Sequence, residues 1–202
     1  WGHRLNMTWT LADNLDLKSI SSYRKLKQTQ FDNGAVALSV FVPNAPFARY
    51  SVARVWQDQV SQEFQLVGKT ERLEYVAGVF YFREKVSDNA QTPNSLQWNA
   101  TGTGYSVLSL NLNAVPFDRF SHVRTTSYGV FGQAVWTPPV LDDALHVTLG
   151  GRLTKDAKKG SLDVVNGAIP SYVDANKNTI VGVIPLDESW SHFDPLVTLA
   201  YD

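Results

Sequence analysis

From Gln59 to Glu84 the chain alternates apolar and polar positions in two runs, QVSQEFQLVG and RLEYVAGVFYFRE, joined by KTE. The second run puts Leu73, Tyr75, Ala77, Val79 and Tyr81 on one face and Glu74, Gly78 and Glu84 on the other. A period of two over such a length predicts strands. Strands of soluble domains mostly run to about five or six residues, whereas a tilted strand of about ten crosses a bilayer. The pattern predicts a transmembrane β-hairpin.

The same alternation predicts seven long strands: His3–Ala12, Leu15–Gln30, Gln59–Gly68, Arg72–Lys85, Val123–Thr137, Ala144–Lys155 and a last one from Trp190 to Asp202. Their connections go short, long, short, long, short, long. Asp13-Asn14 marks one short turn, and Pro138-Pro139 with Asp142-Asp143 another. Long connections are expected over 31–58, 86–122 and 156–189, the second rich in Asn, Thr, Ser and Gly. Placing every long loop at one end is the habit of an outer-membrane barrel, with short periplasmic turns and long extracellular loops. The fold class expected is all-β, an antiparallel up-and-down transmembrane barrel segment.

Charges sharpen this. If the apolar parity faces lipid, then Asp16, Lys18, Arg24, Glu63, Glu74, Glu84, His146, Arg152 and Asp194 fall on the other, lumenal parity. Lys25, Lys27, Arg83 and Lys155 break the rule, but only at the long-loop ends, where a lipid-facing charge costs little. Gln62 breaks it within the span. Aromatic residues mark two levels, Trp9 and Trp136 beside short turns and Tyr23, Tyr81 and Tyr128 toward the other end. Eight residues separate Tyr128 from Trp136, roughly 20 Å of depth in a tilted strand. Strand propensity alone also favours Trp and Tyr, so the pattern carries the argument rather than any one residue.

Composition adds bounds. The 202 residues suit one domain, and 44% are hydrophobic. A net charge of −1 gives no electrostatic reason to expect nucleic acid. There is no cysteine and no apolar run of helix-spanning length. Trp1-Gly2-His3-Arg4 does not read as a signal peptide, and the last residues stop within a strand pattern. Seven strands cannot close a barrel of even strand number, and open edges are costly in lipid. The chain is therefore expected to be a middle portion of a longer protein.

Candidate chemistry is sparse. The four histidines have no ligand spacing, and no metal or cofactor is expected. Asp174 to Asn178 alternates oxygen ligands like a calcium loop, but Thr179 and Pro185 stand where such loops need Gly and Glu, so a solvated loop is expected. No nucleophile and base can be paired, and no enzyme is expected. Tyr50, Trp98, Tyr105, Phe117, Phe120 and Tyr172 give the long loops aromatic surface, with Arg49, Arg54 and Arg119 beside it. These are the ligand-binding candidates; packing of loop on loop is the other reading. Lys18, Arg24, Glu63, Glu74, Glu84 and Arg152 would face the lumen, whether toward a plug or only toward water and one another.

LNMTWTLADNLDLKSISSYR (Leu5–Arg24), the hairpin over Gln59–Glu84, TTSYGVFGQAVWT (Thr125–Thr137), LHVTLGGRLTKD (Leu145–Asp156) and the closing WSHFDPLVTLAYD together resemble the barrel of a TonB-dependent outer-membrane receptor. The resemblance touches all seven strands and skips the long loops. It implies a barrel of about twenty-two strands around an N-terminal plug, of which residues 1–202 would be part, with the plug and remaining strands outside it. It further implies the bacterial outer membrane, contact with its lipid, the protein's own plug and the TonB complex as partners, and active uptake of a scarce small molecule such as a ferric siderophore, haem, cobalamin or an oligosaccharide. A passive porin-type channel and a soluble β-sandwich binding module are the alternatives. An upstream plug separates the first from the second, and a continuous apolar outer band argues against the third.

Overall fold

The computed structural model describes residues 1–34, 41–108, 119–165, 171–173 and 176–202, with side chains throughout except at 33, 34, 49, 50, 165, 172, 173 and 180. Seven long strands form one sheet: β1 (Gly2–Ala12), β2 (Leu15–Gly34), β3 (Pro46–Lys69), β4 (Leu73–Gln91), β7 (Arg119–Trp136), β8 (Leu145–Val165) and β11 (Ile184–Tyr201). Each pairs antiparallel with the next in chain order, so the sheet is an up-and-down meander. Its shorter members are β5 (Asn94–Trp98), beside β3, and β6 (Tyr105–Val107), beside β5. A separate hairpin joins β9 (Ser171–Val173) to β10 (Thr179–Val181).

The short connections are tight. Thr70 N–H donates to Leu73 O at 2.7 Å, and a 3-10 turn spans Leu141–Asp143. Leu141, Asp142 and Asp143 all sit at positive φ, an uncommon run for residues with a Cβ. Neighbouring short turns are tied together, Lys69 N–H to Asn14 O at 3.1 Å and Arg72 Nη1 to Asp143 Oδ1 at 2.6 Å.

The strands are longer than the alternation predicts, and this corrects the expected loops. β2 runs to Gly34, β3 begins at Pro46, β4 continues to Gln91, β7 starts at Arg119, β8 reaches Val165 and β11 begins at Ile184. Much of 31–58, 86–122 and 156–189 is therefore paired strand. The reason is that the ladder continues wherever a neighbour offers backbone partners, while the side chains outside lipid need no apolar alternation to report it. Strand β3 has 24 residues; one edge pairs with β2, and the other serves two neighbours, β4 from Val52 to Lys69 and β5 from Pro46 to Arg49. The chain changes course at Thr92-Pro93, where proline removes a ladder donor.

Opposed residues of a ladder share a face, so the register can be followed across all seven strands. Met7, Ser19, Phe64, Val79, Val130, Leu153 and Phe193 form one such row. Most of its large members are well exposed, Val79 at 49% and Phe193 at 63%. The outer face is thus apolar and bare, and there is almost no conventional core. Only Ala48 and Val52 are buried hydrophobics among the described residues.

Candidate functional site

Two functional surfaces follow, a face that meets lipid and a face that meets the lumen. On the outer face, aromatic residues mark two lines. The line toward the long loops holds Trp1, Tyr23, Tyr81, Tyr128 and Phe193; the line at the short-turn ends holds Trp9, Tyr75, Trp136 and Tyr201. Followed through the register, both lines move toward the short turns by about one residue per strand. Three strands carry their pair eight residues apart: Trp1 and Trp9, Tyr128 and Trp136, Phe193 and Tyr201.

This slope has a physical meaning. With about 3.3 Å per residue and about 4.8 Å per strand, one residue per strand is a tilt of about 35°, in the range of closed barrels. Eight residues then span about 22 Å of depth, near the ~25 Å apolar band of outer-membrane barrels. Two parallel aromatic belts bound a bilayer-thick apolar zone. Register aligns the girdle candidates Trp9, Tyr23, Tyr81, Tyr128 and Trp136 with Trp1, Tyr75, Phe193 and Tyr201 along these two lines. Tyr81 and Tyr128 are direct neighbours with ring centroids 5.3 Å apart.

Gln62, the polar residue within the span, is satisfied. Ser21 Oγ donates to its Oε1 at 2.5 Å, and its Nε2 donates to Ser19 Oγ at 2.9 Å. These are the two serines on the lipid parity of β2, so the three polar residues close on each other, as groups without water must.

The six lumen candidates, Lys18, Arg24, Glu63, Glu74, Glu84 and Arg152, share the face of the sheet opposite the apolar row. Gln65 Nε2 donates to Glu63, Gln57 Nε2 to Glu84, and Lys69 pairs with Glu74 near a short turn. Lys18 and Arg24 lie on the lumen parity of β2. Arg152 is the most constrained. Its guanidinium lies 5.2 Å from the Phe80 ring centre and 5.8 Å from that of Phe131, and its Nε donates to the buried Thr154 Oγ1 at 3.0 Å. Such cation–π contacts fix the head group. Two glycines make the room: a Cβ at Gly129 would lie 2.7 Å from Arg152 Nη2, and one at Gly78 would lie 2.5 Å from Phe131 Cζ. Asp194 stands opposite Arg152 in the ladder but faces His192 at 3.3 Å. Among the described residues no carboxylate takes the Arg152 charge. Phe80 and Phe131 were not singled out by sequence reasoning; they lie on the lumen parity, where large apolar residues stand against the pattern.

The long-loop candidates divide. Trp98 stacks on Phe47 at 4.0 Å and meets Phe41 edge-on at 6.0 Å, so its ring packs the β5–β6 region against the start of β3. Tyr105 touches the same cluster edge-on at 6.0 Å from Phe47 yet stays 63% exposed. Arg119 pairs with Asp88 at 2.6 Å, and Phe120 meets His122 edge-on. Phe117 lies outside the described residues, as do the side chains of Tyr50 and Tyr172 and, for the calcium-like loop, Asp174 and Ala175.

No curated protein sequence matches the chain. The family model described as TonB dependent receptor-like, beta-barrel, matches residues 1–202, the whole chain. With the meander, the tilt and the two belts, this match places the protein in the family of TonB-dependent receptor β-barrels.

Proposed function

We propose that this chain is part of the barrel wall of an outer-membrane active transporter for a scarce ligand, of the class of siderophore-bound iron, haem, cobalamin or an oligosaccharide, energised through TonB. Family membership supports transport in general. The observation that carries the reading further is Arg152, a cation on the lumen parity that touches two aromatic rings and, among the described residues, meets no carboxylate. A fixed, unneutralised charge suits an acidic group passing or resting in the lumen, whether on the protein's own plug or on an anionic ligand. Capture from outside falls to the long-loop end, where Tyr105 offers exposed aromatic surface and Tyr50, Phe117, Arg119 and Tyr172 are further candidates.

The test is uptake in cells that carry or lack the gene, with labelled ferric siderophore, haem and cobalamin offered in turn, each with and without TonB. Gene-dependent accumulation that stops without TonB supports the reading. Gene-dependent entry that continues without TonB makes the protein a passive channel and sinks it.

A further inference from the structure

Between the upper aromatic belt, on the long-loop side, and the lower one, the Arg152 guanidinium has two stations within reach. It occupies the first, 5.2 Å from the Phe80 ring centre and 5.8 Å from that of Phe131, in the gap that Gly129 leaves. The second is Asp194, which stands directly opposite Arg152 in the ladder of β8 and β11. Opposed side chains are about 5 Å apart at Cβ, a span that an arginine stem covers. An exposed cation–π contact and an exposed ion pair are both of modest strength, so neither station wins by a wide margin. What keeps Asp194 from the arginine is His192, whose Nε2 lies 3.3 Å from Asp194 Oδ2. His192 stands opposite Thr154, and Thr154 Oγ1 accepts from Arg152 Nε at 3.0 Å. Arg152, Thr154, His192 and Asp194 thus form one block of four on the lumen parity, with a single carboxylate between two cationic side chains. Both His192 and Asp194 are exposed enough for water to reach them.

We propose that the protonation of His192 decides where Arg152 rests, and so whether this face presents a free cation. An imidazolium holds Asp194 by a charge-assisted hydrogen bond and repels a guanidinium beside it. Both effects keep Arg152 on the aromatic rings, unneutralised. A neutral imidazole repels nothing and holds Asp194 less strongly, so Arg152 turns to the carboxylate opposite and the two charges cancel. The cation offered to an acidic group is present in acid and withdrawn in mild alkali, across the window of about pH 5 to 8 in which histidine changes charge. Few other charges face this block. Asp156 lies diagonal to His192 on β8, and Glu63 lies beside Phe80 in the ladder, where Gln65 donates to it. Farther up the face Lys158 stands opposite Glu188. Gly129 and Phe131 on β7 and Gly78 and Phe80 on β4 bring no charge.

Resting on the lumen reading given above, this switch is tested on the purified full-length receptor, folded in phospholipid vesicles, with para-fluorophenylalanine in place of Phe80. The fluorine resonance reports whether a cation lies on that ring. Between about pH 5 and 8 the wild type is expected to move from one chemical shift to another. Its alkaline shift should match that of Arg152→Gln, in which the aromatic station is empty. His192→Gln is expected to show the alkaline shift at every pH. Asp194→Asn is expected to hold the acid shift throughout, because the second station is gone. E63Q and D156N are expected to keep the titration. The β-type circular dichroism of each variant shows that it is folded. A wild-type resonance that does not move, or one that still titrates in His192→Gln, overturns the inference. Loss of the titration in E63Q or D156N assigns the proton elsewhere and does the same. Uptake in cells is a separate readout: entry that continues without TonB sinks the transport proposal and leaves the titration standing, whereas a flat resonance in a receptor that does transport fails here alone.

Discussion

The same strands behave differently on the two sides of the upper aromatic belt. Below it, β4 shows Leu73, Tyr75, Ala77, Val79 and Tyr81 outward; above it, the outward residues are Arg83, Lys85 and Ser87. The backbone does not register the change, since the ladder between β4 and β7 runs unbroken from Leu73 to Ala90. Solvent, not hydrogen bonding, sets the side chains. Below the belt the outward positions answer to lipid. Above it they answer to water, charge and the loops that fold onto the rim.

The comparison can be broken most strongly at the bilayer midplane. Val79→Arg puts a charge halfway between the belts and is expected to destabilise the folded protein by about 2–4 kcal/mol, while Ser87→Arg above the belt costs about 0–1 kcal/mol. Urea unfolding in phospholipid vesicles measures both, and equal costs would remove the membrane boundary. Next is the lumen side of the same zone. Gly129→Val drives a side chain into the Arg152 guanidinium and is expected to cost about 1–3 kcal/mol as overpacking. The same unfolding assay reads it, and a neutral result would mean that Arg152 swings freely. Above the belt, Trp98→Ala removes the stack on Phe47, worth about 1 kcal/mol beyond its buried area. Faster proteolysis near β5 and β6, with unfolding of the membrane zone unchanged, is the expected result; a global loss would tie the loop to the barrel wall. The smallest effect belongs to Gln62→Leu. It leaves Ser19 and Ser21 without their partner but adds apolar surface to lipid, for a net change of about 0.6 kcal/mol or less.

Legibility followed the same boundary. Within the membrane zone the alternation gave strands, faces and short turns, because lipid punishes each misplaced polar group. Register was hidden there, and with it the fact that Trp1, Tyr75, Phe193 and Tyr201 complete the belts. Periodicity within one strand does not say which residue of the next strand stands beside it. Above the belt the sequence reading ended most strands too early, at Gln30, Lys85 and Lys155, where paired structure continues to Gly34, Gln91 and Val165. Trp98 shows the limit for sites. As an aromatic in a loop it resembled a ligand contact, but only neighbours from β3 reveal that its face is occupied by Phe47. Arg152 and Asp194 lie far apart in sequence, and only the pairing of β8 with β11 sets them opposite each other.

The slope of the belts also decides what lies beneath what. Over the roughly 22 Å between belts, a strand tilted by about 35° drifts some 15 Å sideways, or between two and three strand widths. A plumb line from Tyr128 on β7 therefore meets the lower belt between β2 and β3, near Val67 and Gly68, and not at Trp136. A cargo descending the wall would leave the strand that received it and finish over strands nearer the start of the chain. Pairs of substitutions meant to probe a vertical path should be chosen along that diagonal.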